Sequence, residues 1–231
     1  MPVIEIRDMS VVINEKKLLE NITFSLEEGS VLALVGHNGA GKSTLIKAIM
    51  GVMEKSAGQI SINGNLSQDD SFLDFKRKLS YLPEEPLLLT ELTVMQHFQL
   101  YGMSYELSDE LLHDRIEIWS KGFEIDDKLD EYPESLSKGM RQKVQTICSL
   151  LPDTPVLLID EPFMGLDIYA MDYLEGIIKE KAESGATIIL TTHQIEKVKH
   201  IADRYIMLRQ GRIESEGPIG EFMTIQRRRS E

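Results

Sequence analysis

The sequence predicts an α/β fold: a mainly parallel sheet, an antiparallel β part at the N-terminus and an inserted block of helices. Three observations predict it. The apolar runs LSYLP (79–83), VLALV (31–35), VLLID (156–160) and TIILTTH (187–193) read as strands covered on both faces, as in a parallel sheet. Helix-spaced stretches separate them, and that alternation defines the class. From about 90 to 151 the rhythm changes to three helical patterns without a convincing strand.

The elements follow in order. VIEIR (3–7) and ENITFSLE (20–27) alternate apolar and polar like half-exposed strands, with NEKK as the turn or loop between them. VLALV ends in glycines, and TLIKAIMGVM then has helical spacing, giving strand, glycine-rich loop and helix. Further helical patterns cover 93–102, 108–121, 138–151, 169–184 and 194–202. YIML (205–208) and RIE (212–214) form a terminal hairpin turning at Gln210 and Gly211. The expected organisation is a single domain over 1–231. Its α/β core occupies 1–89 and 152–217, a helical subdomain 90–151 and a tail 218–231.

Composition narrows the function. The chain has 231 residues, 42 % apolar and 27 % charged, an ordinary globular profile. A net charge of −13 argues against broad binding to nucleic acid or anionic membranes. Arg227, Arg228 and Arg229 form one local basic patch, read as a solvated tail because anchoring to lipid usually needs more than one signal. The single cysteine, Cys148, precludes an intrachain disulfide and fits a reducing compartment; it reads as a buried, inert thiol. No secretion signal is apparent and no apolar run approaches 18 residues, so the expected location is cytoplasmic. Any spanning part must come from another chain.

The chemistry sits at strand ends. Gly36, His37, Asn38, Gly39, Ala40, Gly41, Lys42, Ser43 and Thr44 match G-x-x-x-x-G-K-[ST] in the required strand–loop–helix context. Glycines let backbone amides turn toward phosphate oxygens, and a helix N-terminus adds partial positive charge. Lys42 is expected to bridge β- and γ-phosphates and the Ser43 hydroxyl to ligate Mg²⁺. VLLIDEP ends an apolar strand in two carboxylates. Asp160 is placed to hold Mg²⁺ and Glu161 to polarise an attacking water. His193 closes another strand, and ligands of open parallel sheets bind at such ends. His97, His113 and His200 lack metal-ligand spacing, and Ile116 and Trp119 read as helical core.

These pieces together resemble the ATP-binding subunit of an ABC transporter, a P-loop NTPase with an ABC-type core. The matching segments are GHNGAGKST (Walker A), YLPEEP (the Q-loop position), LSKGM (the signature), VLLIDEP (Walker B), MGLD (the D-loop) and TTH (the switch histidine). They keep the family's order over residues 2–217. YLPEEP with SKGMRQKV is most similar to the bacterial exporter branch, in particular the Ecs-type ATPase subunits. The resemblance implies ATP and Mg²⁺ as ligands, an integral membrane permease as partner, and a second nucleotide-binding subunit, identical or paralogous, paired head to tail. It implies a position on the inner face of the cell membrane. In such a pair, Ser137 and Gly139 would touch the γ-phosphate held by the other subunit, and Asp167 would communicate across the dimer.

Three departures from the family pattern stand out. Glu84 stands where glutamine is usual; its carboxylate can still ligate Mg²⁺ as a hard oxygen donor. Lys138 and Met140 replace glycine and glutamine in the signature, and Lys138 either adds favourable charge or faces solvent. Ile13, beside Val12, stands where an aromatic residue usually stacks on adenine. That predicts weaker adenine selectivity, because aromatic stacking contributes about 1–3 kcal/mol per base in nucleic-acid complexes. The alternative reading is a soluble ABC ATPase with a cytosolic partner, such as a cluster-assembly scaffold.

Overall fold

The computed structural model describes residues 2–64, 66–193 and 195–222. The arginines at 227–229 lie outside the described residues.

The N-terminal part is a four-stranded antiparallel sheet. Strand β1 (Ile4–Ile13) pairs with β2 (Lys16–Leu26) and with β4 (Ala57–Ile62), and β4 pairs with β5 (Leu66–Ser67). Both strands of the first hairpin are longer than the alternation predicts. Asn14 and Glu15 alone make the turn, with φ of 48° and 63°, the pattern of a type I′ turn. The two lysines of NEKK therefore belong to β2. Register irregularities between Ile6 and Met9, where Asp8 takes φ 48°, break the period-two pattern and hid the length of β1.

The main sheet has six strands in the order β10-β9-β3-β8-β7-β6. They are β3 (Val31–Val35), β6 (Leu79–Leu82), β7 (Val156–Asp160), β8 (Thr187–Thr192), β9 (Arg204–Arg209) and β10 (Arg212–Pro218). All neighbours run parallel except β10, which turns back antiparallel on β9. Burial explains the apolar runs. Val31, Ala33 and Val35 face one core with the helices, while Leu32 and Leu34 face a second core with the antiparallel sheet. Full burial of one such side chain is worth about 1.5–3 kcal/mol. A charge placed in β3 therefore damages one core or the other.

Helices α1 (Lys42–Ile49), α2 (Phe72–Lys76), α3 (Val94–Ser104), α4 (Asp109–Gly122), α5 (Lys138–Leu150), α6 (Ile168–Glu183) and α7 (Ile195–Val198) complete the chain. Among the described residues no strand lies between β6 and β7, so α3, α4 and α5 form the expected helical block. The pattern at 194–202 yields only the four-residue α7. Packed structure runs past 217: Phe222 is buried edge-on against Tyr205, with ring centroids 4.9 Å apart.

The helical block is tied to α6. Tyr173 sits on Gly122, where an added Cβ would lie 2.1 Å from the ring. The Arg115 guanidinium of α4 donates to the Leu151 carbonyl and pairs with Asp153, and Lys181 of α6 reaches the same carboxylate at 3.4 Å. Burial pushes the Asp153 carboxyl up, but these two cations outweigh it and hold the group below its ordinary range. The cost falls on Lys181, whose own pKa burial drives down.

Candidate active site

Parallel register places the motif residues side by side. Val35 pairs with Thr192, Thr191 with Asp160, and Ile159 with Leu82. Gly36, His193, Glu161 and the segment leading to Glu84 thus leave the sheet at the same edge, on adjacent strands about 4.8 Å apart. In open α/β sheets this edge is where ligands bind.

The loop after β3 needs its glycines for two different reasons. At Gly36 an added Cβ would sit 2.6 Å from the Leu208 carbonyl oxygen, and at Gly41 2.8 Å from Leu19. Gly39 has open space around it, and its φ of 80° is the constraint. Helix α1 then begins at Lys42 with no side-chain cap and no acidic residue in its first turn. Its leading amides therefore have no side-chain oxygen to accept from them. Lys42 is buried, and its ammonium curls back to donate to the Gly36 carbonyl at 2.8 Å. An anion cradled in the loop would meet that ammonium and the helix N-terminus together. Ser43 and Thr44 are half-buried on the first turn, whereas His37, Asn38 and Gly39 are exposed.

Asp160 is only 4 % exposed at the end of β7, where it accepts a hydrogen bond from the Thr191 hydroxyl. Glu161 follows with φ 51°, a left-handed conformation that non-glycine residues seldom adopt. Its amide donates to the same Thr191 oxygen at 3.0 Å. Its carboxylate lies 2.9 Å from His193 Nδ1. A carboxylate only accepts, so the imidazole carries its proton on Nδ1 in this contact. Glu84 is exposed just beyond β6. Burial raises the pKa of Tyr81 above its ordinary value, and the charges of Asp160 and Glu84 raise it further, so both carboxylates act on one hydroxyl. Ile13 and Val12 are exposed at the tip of the first hairpin, whose Leu19 reaches the loop at Gly41.

The remaining predicted residues form a second cluster. Ser137 is the N-cap of α5, its hydroxyl accepting from the Met140 amide at 3.2 Å. A Cβ at Gly139 would lie 3.1 Å from the carbonyl oxygen of Gly165, so the glycine serves packing within the chain. Asp167 caps α6 through Ala170 at 2.9 Å and pairs with Lys143 of α5 at 2.8 Å. The Lys143 ammonium, with the Ala170 amide, holds the Asp167 carboxyl below the usual range. Both oxygens of Asp167 are thus engaged within its own chain. Lys138 is exposed. Among the described residues no hydrogen bond or ion pair joins Ser137, Gly139 or Asp167 to residues 36–44.

Two residues escaped the sequence reading. Lys143 gave a weak signal, a cation five residues after the signature glycine position Lys138. Thr191 gave one only through pairing: its partner Asp160 is known once β7 and β8 are in register.

A phosphate-type loop, an acidic strand end and a histidine aligned on one sheet edge define a P-loop nucleotide hydrolase. The chain belongs to the ABC transporter family, whose model matches residues 19–164. It binds ATP and is an ATPase, the ATP-binding subunit of a transporter. It is 34 % identical over 222 residues to the ABC-type transporter ATP-binding protein EcsA of Bacillus subtilis, covering 96 % of this chain and 90 % of that one. It is 28 % identical to SkfE of the same organism, a SkfA peptide export ATP-binding protein, over 96 % and 92 % of the two chains. A solved ATP-binding subunit of an ABC transporter superposes with a TM-score of 0.91 at 37 % identity, over 97 % of this chain and 93 % of that one. No described helix is long and apolar enough to cross a membrane.

Proposed function

We propose that this chain is the motor of an exporter: two nucleotide-binding subunits pair head to tail, hydrolyse ATP between them and drive a separate membrane-spanning partner from the inner face of the membrane. The separation of the two clusters carries this reading. One chain supplies the loop, Asp160, Glu161 and His193, while its Ser137 is exposed and, among the described residues, makes no hydrogen bond to that loop. A second subunit, identical or paralogous, would bring its ATP to Ser137 and the start of α5. Export as the direction is supported by the likeness to SkfE.

Each side chain then has a task. Lys42 would leave the Gly36 carbonyl for the β- and γ-phosphate oxygens. Glu161, oriented by His193, would take a proton from the attacking water as it adds to the γ-phosphorus; the bond to the bridging oxygen breaks and ADP departs. The Ser43 hydroxyl and Asp160 carboxylate, with Glu84 as a further oxygen donor, fit Mg²⁺. No cluster of three acidic or His/Cys ligands occurs among the described residues, and Mg²⁺ commonly takes one or two protein oxygens with phosphates and water. Bound there, it offsets phosphate charge. Ile13 would pack on the base.

The permease would dock near residues 84–97. That segment is pinned from both sides. The Leu87 amide donates to Gln145 of α5 at 2.9 Å, and the Leu89 amide donates to His97 Nε2 at 2.9 Å. His97 Nδ1 in turn donates to the Thr93 carbonyl. Leu87, Leu89 and Met103 are exposed, and Glu84, Glu85 and Glu91 make the surface acidic, so the partner side should be basic. Affinity purification of the tagged chain from detergent-solubilised membranes tests the reading. A stoichiometric multi-spanning protein is expected, lost when Glu85 and Glu91 are both changed to Lys. A soluble partner instead would move the chain to the soluble ATPases.

A further inference from the structure

We infer that Thr191 is a positioning residue for hydrolysis, one hydroxyl that sets both acids of the β7 end. The inference rests on the proposed roles of Asp160 and Glu161. Thr191 lies directly across from Asp160 in the parallel β7–β8 register and is fully buried. A hydroxyl has one proton to donate and lone pairs to accept with. The Glu161 amide can only donate, and it occupies the Thr191 oxygen at 3.0 Å. The hydroxyl proton must therefore point at Asp160 Oδ1, the contact observed. Amide, hydroxyl and carboxylate form one polarised chain of hydrogen bonds, each strengthening the next.

Two consequences follow for geometry. The Asp160 carboxylate is held by Oδ1 on Thr191, which would orient the group that is to hold Mg²⁺. The Glu161 amide is held at the point where the backbone enters its left-handed φ of 51°. From that turn the Glu161 carboxylate meets His193, two residues beyond Thr191, at 2.9 Å. The end of β8 thus answers two successive acids with two side chains in step, a hydroxyl for Asp160 and an imidazole for Glu161. Valine, which matches threonine in shape, keeps the packing and breaks both hydrogen bonds.

The test compares wild type, Thr191→Val and Thr191→Ser for steady-state hydrolysis and for binding of a non-hydrolysable ATP analogue across a Mg²⁺ titration. In Thr191→Val, kcat should fall about 10- to 100-fold, and the Mg²⁺ concentration that half-tightens analogue binding should rise by about tenfold or more, the usual penalty for losing an outer partner of a metal ligand. Binding of the analogue without Mg²⁺ should stay within twofold. Thr191→Ser should restore both readouts to near wild type. An unchanged Mg²⁺ dependence and kcat in Thr191→Val, or equal losses in the serine variant, would overturn the inference. Should the valine variant melt below the assay temperature, Thr191→Cys, with its weak donor, replaces it and the same outcomes apply. A wild-type chain that neither hydrolyses ATP nor binds the analogue more tightly with Mg²⁺ defeats the underlying function reading instead, so the two failures are distinct.

Discussion

Two helix N-termini in this chain follow opposite rules. Helix α1 opens from a glycine at φ 112°, with no side-chain cap and a buried lysine as its first residue. Helix α5 opens from Ser137, which caps the Met140 amide and stands exposed. The first leaves its amides without a side-chain acceptor, open to the phosphate proposed to bind there. The second satisfies itself and still keeps something to give: capping uses a lone pair of the Ser137 oxygen, and the hydroxyl proton remains available to an outside acceptor. In the proposed pair, the bare N-terminus would serve the ATP of its own chain and the capped one the ATP of the other subunit.

The largest expected effect falls on the bare end. Lys42→Met should cost the isolated chain about 2–4 kcal/mol of ATP affinity, tens to several hundredfold, by calorimetric titration. A loss under threefold would dissolve the distinction. Gly139→Ala comes next. Its new methyl meets the Gly165 carbonyl at 3.1 Å and must shift the loop that follows Glu161. We expect kcat to drop about tenfold through misplacement, with ATP affinity of the isolated chain kept within twofold. Unchanged turnover would mean that the loop yields freely. The smallest effect belongs to Ser137→Ala. Loss of the cap should cost about 1 kcal/mol, lowering the melting temperature by about 2–4 °C in a chain of this size, without weakening ATP binding by the isolated chain. If it weakened that binding as Lys42→Met does, both N-termini would serve one ligand in one chain.

The legible parts were those where local chemistry and burial agree. VLALV, VLLID and TIILTTH became strands because each is covered on both faces, and the glycine loop announced itself through residues that backbone geometry demands. The segment from 57 to 76 went unread. Strand β4 is half polar and starts beside Gly58, β5 has two residues and α2 five, so pairing with β1 rather than pattern creates them. Within the site, spacing revealed the residues that carry charge or need positive φ. Thr191 and Lys143 act through neighbours distant in sequence, and only the register of β7 on β8 and the approach of α5 to α6 disclose them. The packing of Gly139 on Gly165 is of the same kind: the motif pointed outward, while the contact that crowds a side chain lies within the chain.

Cys148 has a practical consequence. It is the chain's one cysteine, wholly buried on α5, and burial pushes its thiol pKa well above the ordinary value. A protonated thiol out of reach of water is a poor nucleophile. The natural sequence is therefore already a silent background for labelling. A fluorophore or spin probe attached to a cysteine introduced at the exposed position 169 would report from a single address. Distances between two copies, with and without nucleotide, become measurable without first removing a native residue.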